Sequence, residues 1–244
     1  MNQVFSELVP YDIPQFTKKR LGKAGDGGYV LPMDILKEVE AVVVFGVNDE
    51  DSFEKDLANY IDPKKVPFYL CDPFVPYTAD GKNDFTFCSL GLAGESKEKM
   101  ITWPDFCKAK NLEGKKILLK VDIEGAEWES FANLQPSDFD NVLCLIIEFH
   151  RLIHLQEVPQ QLKTFDLLNS SFVLNHCHAN NNGYVYSNGS LFLPDVLECT
   201  YVHKHILEKC QVSIKKRTEI YPSMLDQANI DVRPDYPIGW WLQT

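Results

Sequence analysis

The sequence of 244 residues predicts a single α/β domain built on a largely parallel sheet, and three observations carry this prediction. Six apolar runs of strand length are continuous or nearly so, as in strands covered on both faces. Helical patterns lie between several of these runs, and such alternation is typical of a doubly wound, Rossmann-like fold. No internal repeat, low-complexity segment or linker divides the chain.

The predicted strands share a high content of aliphatic and aromatic residues. In chain order they are AVVVFG (41–46), VPFYLCD (66–72), FTFCSLGL (85–92), KILLKVDI (116–123), NVLCLIIEFH (141–150) and SFVLNHCH (171–178). A further segment, LECTYVHK (197–204), alternates apolar with polar residues. This pattern favours an antiparallel strand that closes one edge of the sheet.

The clearest predicted helix covers residues 52–61, whose apolar residues recur at helical spacing. Asp51 and Glu54, three residues apart at its start, predict a capping box. Further helical patterns cover residues 103–112, 128–134 and 159–168. We expect residues 1–40 to form an N-terminal cap, residues 41–204 the core and residues 205–244 a packed C-terminal extension.

Composition restricts the class of protein. A net charge of −11 and a pI near 5.0 disfavour a nucleic-acid partner, whose affinity depends on cationic neutralisation of phosphates. No apolar window is long enough for membrane insertion, and MNQVFSELVPYDIP lacks the basic start and apolar centre of a secretion signal. The seven cysteines are scattered and never form CxxC, so we expect reduced core residues. The sequence predicts a soluble cytoplasmic protein and leaves its oligomeric state open.

The ends of the first two predicted strands indicate where a ligand binds, because ligands of doubly wound sheets lie outside the carboxyl ends of the strands. The first strand ends in FGVNDEDSFE, a polar turn with Gly46 that leads into a helix N-terminus with free N–H groups. The second ends in Asp72, where an acidic side chain typically accepts two hydrogen bonds from a ribose. Each feature alone is more often plain turn chemistry. Together they predict an adenosine site.

Carboxylates are crowded at the ends of two later strands. Side chains two apart on a strand share a side, so Asp122 and Glu124 are expected to point alike, as are Glu148 and His150. If these strands are neighbours, the two pairs meet above the sheet, where like charges are costly unless a cation, a proton or a substrate relieves them. We interpret the acids as a reaction cleft.

Two more carboxylates follow on the predicted helix. Glu127 and Glu129 are assigned to its first turn, where the helix dipole favours negative charge. Glu129 is expected to be solvated.

Five motifs in order resemble the motif set of FkbM-type methyltransferases, a branch of the S-adenosylmethionine-dependent class. They are GDGGYVLP (25–32), VFGVNDEDSFE (44–54), LCDPF (70–74), LLKVDIEGAEWE (118–129) and LIIEFH (145–150). The likeness runs from about Gly25 to Glu198. It implies a seven-stranded sheet with the last strand antiparallel, S-adenosylmethionine as cofactor, and O-methylation of a sugar, glycan precursor or related small molecule. The first loop departs from the wider class, since Gly46 stands where many members have GxGxG.

Carried over residue by residue, the resemblance implies cofactor-binding residues in four places. These are Asp26, Gly27 and Gly28 over the methionine end, Gly46, Val47, Asn48 and Ser52 in the first loop and helix start, Asp72 at the ribose, and Asp122 at the cofactor amino group or the reaction centre.

Methyl transfer to a hydroxyl needs the oxygen held in line with the donor and its proton removed as the bond forms. We predict His150 as the general base and Glu148 as the group that orients it, with Glu124 in the same cleft. The competing role is metal ligation. Asp122, Glu148, His150 and His178 would suit magnesium or manganese better than zinc.

Other interpretations stay open. A different Rossmann-like enzyme that uses a nucleotide is weakened by the absence of GxGxxG. A non-catalytic binding protein of the same fold is less economical, because EFH and DIEGAE are intact. His176 and His178 are alternatively structural histidines, or part of a polar wall for a sugar with Asn180–Asn182. The aromatic residues Tyr77, Trp103 and Trp240 are candidates for stacking on a sugar or for simple packing.

Overall fold

The computed structural model describes residues 2–75, 84–187, 192–217 and 222–238, which form an α/β fold of Rossmann-like type. The α-helices are α1 (Asn2–Ser6), α2 (Ser52–Leu57), α3 (Trp103–Ala109), α4 (Glu127–Phe131), α5 (Val158–Ser171) and α6 (Lys204–Lys209). Short 3-10 helices cover Met33–Glu38, Pro136–Phe139 and Leu155–Glu157. The strands are β1 (Tyr11–Asp12), β2 (Lys18–Leu21), β3 (Tyr29–Pro32), β4 (Ala41–Phe45), β5 (Phe68–Cys71), β6 (Thr86–Cys88), β7 (Gly91–Leu92), β8 (Met100–Ile101), β9 (Ile117–Val121), β10 (Val142–Phe149), β11 (Phe172–Ala179), β12 (Val185–Ser187), β13 (Phe192–Pro194), β14 (Leu197–His203) and β15 (Lys215–Lys216).

The centre of the fold is a seven-stranded mixed sheet with the order β11-β14-β10-β9-β4-β5-β6. The strands from β10 to β6 pair in parallel, whereas β14 is antiparallel to both β10 and β11. From β4 the chain moves outward to β5 and β6, and then continues on the other side of β4 with β9 and β10. The strand order therefore reverses between β4 and β9, which is where a ligand crevice is expected.

The strand predictions hold with two exceptions. The run at 85–92 is divided into β6 and β7, because a tight turn closes after β6, where the Leu90 N–H donates to the Cys88 carbonyl at 2.8 Å. The segment at 197–204 forms β14, but it lies between two strands, so the expected edge position is wrong. Its alternating polar residues do not face water. Thr200, for example, is buried and donates to the Val30 carbonyl at 2.6 Å.

The central strands are covered on both faces, as their continuous apolar sequences predict. In β4, Val43 and Phe45 belong to one hydrophobic cluster, which contains the aromatic residues of α3, α4 and α5. Val42 and Val44 belong to the other cluster, which contains Phe53 and Leu57 of α2 and residues of α6.

The helix start after β4 differs from its prediction. Helix α2 ends at Leu57, and Asp51 is its N-cap residue, but the Asp51 side chain makes no capping hydrogen bond. Glu54 is 1% exposed and lines a cavity instead of capping. The predicted capping box is therefore wrong, because Glu54 is directed into the interior.

Described segments near both ends of the chain pack on the core. The β2–β3 hairpin lies on α2, where the Gly22 N–H donates to Asp56 Oδ2 at 3.0 Å. Residues 222–238 of the C-terminal extension pack on β11 through Asp226 and Asp235 and on β14 through Asn229, as expected of a packed tail. Six of the seven cysteines are buried free thiols, whereas Cys210 is exposed and departs from the expected core position. None of the helices in the described ranges is long and apolar enough to cross a membrane.

Candidate functional site

A cavity of about 330 Å³ opens at the carboxyl ends of β4, β5 and β9, where the strand order reverses. Its volume lies in the range of small-molecule sites, roughly 300–1,000 Å³. Asp72 lines it on the β5 side, and Asp122 and Lys120 line it on the β9 side. The turn after β4 lies between them. A cavity is therefore present at the edge of the sheet where the sequence predicts a ligand site.

Gly46 joins the strand ends around this cavity. Its φ is +84°, and a Cβ atom at this position would lie 1.5 Å from the Asp122 carbonyl oxygen. The Gly46 N–H donates to the Cys71 carbonyl at 2.9 Å, and the Asp122 N–H donates to the Phe45 carbonyl at 3.0 Å. The close approach of the ends of β4 and β9 is therefore enough to require glycine at position 46, whether or not a ligand binds.

The other predicted residues of this loop divide into two groups. Val47 and Asn48 line the cavity beside Gly46. Ser52 does not line it. Its hydroxyl accepts a hydrogen bond from the Lys23 N–H at 2.9 Å and so holds the β2–β3 hairpin against α2.

Asp72 is held in place by the backbone. Its carboxylate accepts N–H bonds from Asn48 at 3.1 Å, Phe74 at 2.8 Å and Val75 at 2.9 Å. A carboxylate has about four lone-pair sites, so roughly one is left for a ligand. The position suits a ribose, but with these bonds kept Asp72 can accept one hydroxyl and not the expected two.

The loop between β2 and β3 brings part of its predicted set to the cavity. Asp26 and Gly27 line it. Gly28 does not line the cavity. Glycine is needed there for packing, since a Cβ atom would lie 2.2 Å from the Arg20 guanidinium.

The predicted meeting of the two acidic strand tips is confirmed, and Tyr29 bridges them. The Tyr29 hydroxyl donates to Asp122 Oδ2 at 2.9 Å and lies 3.3 Å from Glu148 Oε2. Asn180 Nδ2 donates to Glu148 Oε1 at 2.9 Å. Burial, together with the charges of Asp122 and Glu198, raises the pKa of Glu148 well above its usual value. No pattern in the sequence indicated the role of Tyr29.

His150 is oriented by Glu127 and not by Glu148, which corrects the prediction. The Nδ1 atom lies 3.1 Å from Glu127 Oε1, whereas Nε2 lies 4.0 Å from Glu148 Oε1. Glu127 does begin α4, but it is fully buried, and it also accepts the Ile123 N–H at 3.1 Å. No local pattern identifies the buried face of this turn, because Trp128 has the buried Glu127 on one side and the exposed Glu129 on the other.

The charge of His150 follows from its neighbours. Burial disfavours the imidazolium, but the hydrogen bond and charge of Glu127, with the charges of Glu148 and Asp122, outweigh burial and raise the pKa of His150 to about 10. Without a ligand, His150 is therefore an imidazolium at neutral pH.

Glu124 reaches this rim by a different route from the predicted one. Strand β9 ends at Val121, so the alternation of a strand does not extend to Glu124. Glu124 has a φ of +58°, its side chain is 86% exposed, and its Oε2 lies 3.6 Å from His150 Nε2. The left-handed turn after β9 places it beside His150.

Three of these side chains could hold a metal ion. Ligand atoms of Asp122, Glu124 and His150 all lie within 4.8 Å of one another. The Glu127 carboxylate on Nδ1 leaves Nε2 directed at this space, which is the usual arrangement around a metal-bound histidine. Glu148, one of the predicted ligands, groups instead with Asp26 and Glu198.

His178 does not fit the metal role. Its Nδ1 lies 3.0 Å from Glu198 Oε2 and its Nε2 lies 2.9 Å from Asp235 Oδ1, so both ring nitrogens are taken. The structural alternative for His178 is the one that its contacts support. Asn181 is also structural, since it is fully buried and donates to the Ile230 carbonyl at 2.9 Å.

Of the three aromatic candidates, Trp103 lies within the described residues, and it does not line the cavity. Trp103 is buried, and its indole N–H donates to the Asp138 carbonyl at 2.8 Å, which indicates packing. Tyr77 and Trp240 lie outside the described residues. Glu129 is exposed, as expected.

No family model matches the chain, and no curated protein matches it.

Proposed function

We propose that this protein is an S-adenosylmethionine-dependent O-methyltransferase that acts on a hydroxyl of a sugar, glycan precursor or related small molecule. The observation that carries the proposal is one crevice lined by the Gly46 turn, Asp72 and Asp122, with His150 beside Asp122 and Glu124 at its rim. The motif resemblance supports the same assignment.

We assign the sheet to the class I methyltransferase type, with seven strands and the last long strand antiparallel. The antiparallel pairing of β14 with β10 and β11 supports it. The reversal of strand order between β4 and β9 places the crevice at the expected switch point.

The residues present fit this cofactor. S-adenosylmethionine carries positive charge on its sulfonium and its ammonium, and acidic side chains line the cavity, among them Asp26, Glu54 and Asp122. An acidic crevice attracts such a ligand. Glu54 has no hydrogen-bond partner for either carboxylate oxygen, so a cationic group would satisfy it. When bound, the cofactor supplies a methyl group on a positively charged sulfur.

His150 is assigned to remove the proton of the acceptor hydroxyl. Glu127 holds Nδ1, so Nε2 is the atom that faces the rim and accepts the proton. This requires a neutral imidazole, and positive charge in the crevice favours it, because a nearby like charge lowers the pKa of an imidazolium.

A magnesium or manganese ion on Asp122, Glu124 and His150 is the second candidate for activating the hydroxyl. The observation that favours it is the close group of three ligand atoms with Glu127 behind the imidazole. A bound divalent ion would position the hydroxyl and lower its pKa. If it is required, EDTA stops methyl transfer and magnesium or manganese restores it. Unchanged turnover by metal-free protein would exclude this role.

The proposed function is tested by calorimetric titration of the folded protein with S-adenosylhomocysteine and, separately, with NAD. We expect binding of S-adenosylhomocysteine and none of NAD. Binding of NAD alone would favour the nucleotide-using alternative. Absence of both from well-folded protein would favour a non-catalytic binding protein.

The acceptor is sought with labelled S-adenosylmethionine and a panel of nucleotide sugars and glycans. Transfer of label to a hydroxyl compound identifies the substrate class. Label found only on amines or thiols would contradict the O-methyltransferase assignment.

A further inference from the structure

Glu54 is a buried carboxyl group that faces the crevice without a partner. It lies in the first turn of α2, is 1% exposed and lines the cavity. Neither of its carboxylate oxygens has a hydrogen-bond partner. Buried polar groups are nearly always hydrogen-bonded, and an isolated buried charge is costly. The position therefore favours a ligand that brings a donor, and preferably a cation.

Lys120 lines the same cavity and supplies the opposite charge. It is 4% exposed, and its Nζ lies 3.8 Å from Asp122 Oδ2, which is too far for a hydrogen bond. The same nitrogen lies over the Tyr29 ring, 4.7 Å from the ring centroid. In water an ammonium is strongly hydrated, whereas the ammonium of Lys120 makes few short contacts in this buried position.

The two charges influence each other but do not pair. Burial raises the pKa of Glu54 to about 6, although the charge of Lys120 acts in the opposite direction. Both side chains lie within the described residues, and no ion pair of 4.0 Å or less joins them. A carboxylate and an ammonium therefore face one cavity with space between them.

We propose that Glu54 and Lys120 bind the amino acid end of S-adenosylmethionine, Glu54 taking its ammonium and Lys120 its carboxylate. An α-amino acid carries both charges on one carbon, so it complements two opposite charges that face the same space. The assignment rests on the proposed function. It moves the ammonium contact away from Asp122, which already accepts the Tyr29 hydroxyl and faces the His150 rim.

The test is calorimetry on wild-type protein, Glu54→Gln and the control Glu129→Gln, which removes an exposed carboxylate of α4. Two ligands are compared: S-adenosylhomocysteine and its analogue that lacks only the α-amino group. Loss of one charge-assisted hydrogen bond weakens binding about 10- to 100-fold. We expect Glu54→Gln to show this loss with S-adenosylhomocysteine and to bind the deamino analogue within about threefold of wild type. The control should match wild type with both ligands.

Lys120→Met is the reciprocal variant, measured with S-adenosylhomocysteine and its decarboxylated analogue. We expect weaker binding of the first ligand and little change for the second. Circular dichroism confirms that each variant is folded.

The outcomes separate this subsite from the proposed function. Failure of folded wild-type protein to bind S-adenosylhomocysteine would overturn both. Binding by wild type that Glu54→Gln leaves unchanged, or weakens equally for both ligands, would overturn the subsite and leave the proposed function standing.

Discussion

Two histidines at the same end of the sheet, His150 and His178, differ in whether a ring nitrogen is left for a ligand. His150 follows β10 and His178 lies near the end of β11. Carboxylates overcome the effect of burial at both and raise the pKa of each to about 10. The difference is in the ring nitrogens. Glu198 and Asp235 take both nitrogens of His178, whereas at His150 Glu127 takes one, and the other faces the open acidic rim.

The C-terminal segment is the origin of this difference. Asp226 and Asp235 bind the two histidines of β11, and Asn229 Nδ2 donates to Glu198 Oε1 at 2.6 Å. These side chains seal the β11–β14 end of the sheet. The ends of β4 and β9 keep a cavity instead. A charged histidine therefore indicates a site only where part of its hydrogen-bonding capacity is left for a ligand.

The largest expected effect is that of His150→Ala on activity. We expect methyl transfer to fall about 10²- to 10⁴-fold, the usual contribution of a general base. Affinity for S-adenosylhomocysteine should stay within a few fold, since Glu54 and Asp72 are unchanged. Label transfer and calorimetry measure the two quantities. His154→Ala, at a half-exposed histidine nearby, is the control and should turn over normally. Wild-type turnover by His150→Ala would refute the assigned base.

His178→Ala should act on stability. It leaves Glu198 and Asp235 without their common counter-charge, and breaking a buried ion pair costs about 3–5 kcal/mol. Urea unfolding followed by circular dichroism measures the free energy of unfolding. A loss below about 1 kcal/mol, the value for an exposed pair, would mean that His178 is not the structural member of the comparison.

Glu127→Gln should alter the pH dependence of catalysis. The wild-type kcat/KM should rise with pH, because His150 must lose its proton and its pKa in the free protein is about 10. Gln keeps the shape but removes the charge, so the rising limb should move about 1–3 units towards lower pH. A pH profile of label transfer measures this. An unchanged limb would show that another group controls the proton.

Glu54→Gln should give the smallest effect, a gain in stability near neutral pH. The folded-state pKa of Glu54 is raised from 4.5 to about 6, so the folded protein holds this proton more strongly than the unfolded chain. The stabilisation of the folded state that comes from this protonated carboxyl group is present below pH 4.5 and is lost as the pH rises through about 6. Its size is about 2 kcal/mol. Thermal unfolding from pH 4 to pH 7.5 should therefore show a loss in wild type that the variant lacks. Equal pH dependence of the two proteins would contradict the buried charge.

The central strands and the place of the site could be predicted from the sequence. The strands β4, β5, β9 and β10 come from continuous apolar runs, and the polar residues at their ends identify the crevice. Parallel strands bring their carboxyl ends to one edge, so the proximity of Asp122 and Glu148 follows from the order of the strands.

The partners within the site could not be predicted in the same way. Tyr29 is 93 positions from Asp122, and Asp235 is 57 positions from His178, so no local pattern connects them. Glu127 begins α4 as predicted, but its burial and its contact with His150 were not predicted, because the helix-dipole rule does not indicate which side chains of a first turn face inward. Glu54 was taken as a capping residue for a similar reason.

A crystal structure of the protein with S-adenosylhomocysteine is the most direct test of the central claim, that the crevice between the Gly46 turn and the acidic rim binds the methyl donor. The adenosine should lie on the β5 side near Asp72, and the amino acid end should lie between Glu54 and Lys120. A ligand bound elsewhere, or an empty crevice at saturating concentration, would contradict it.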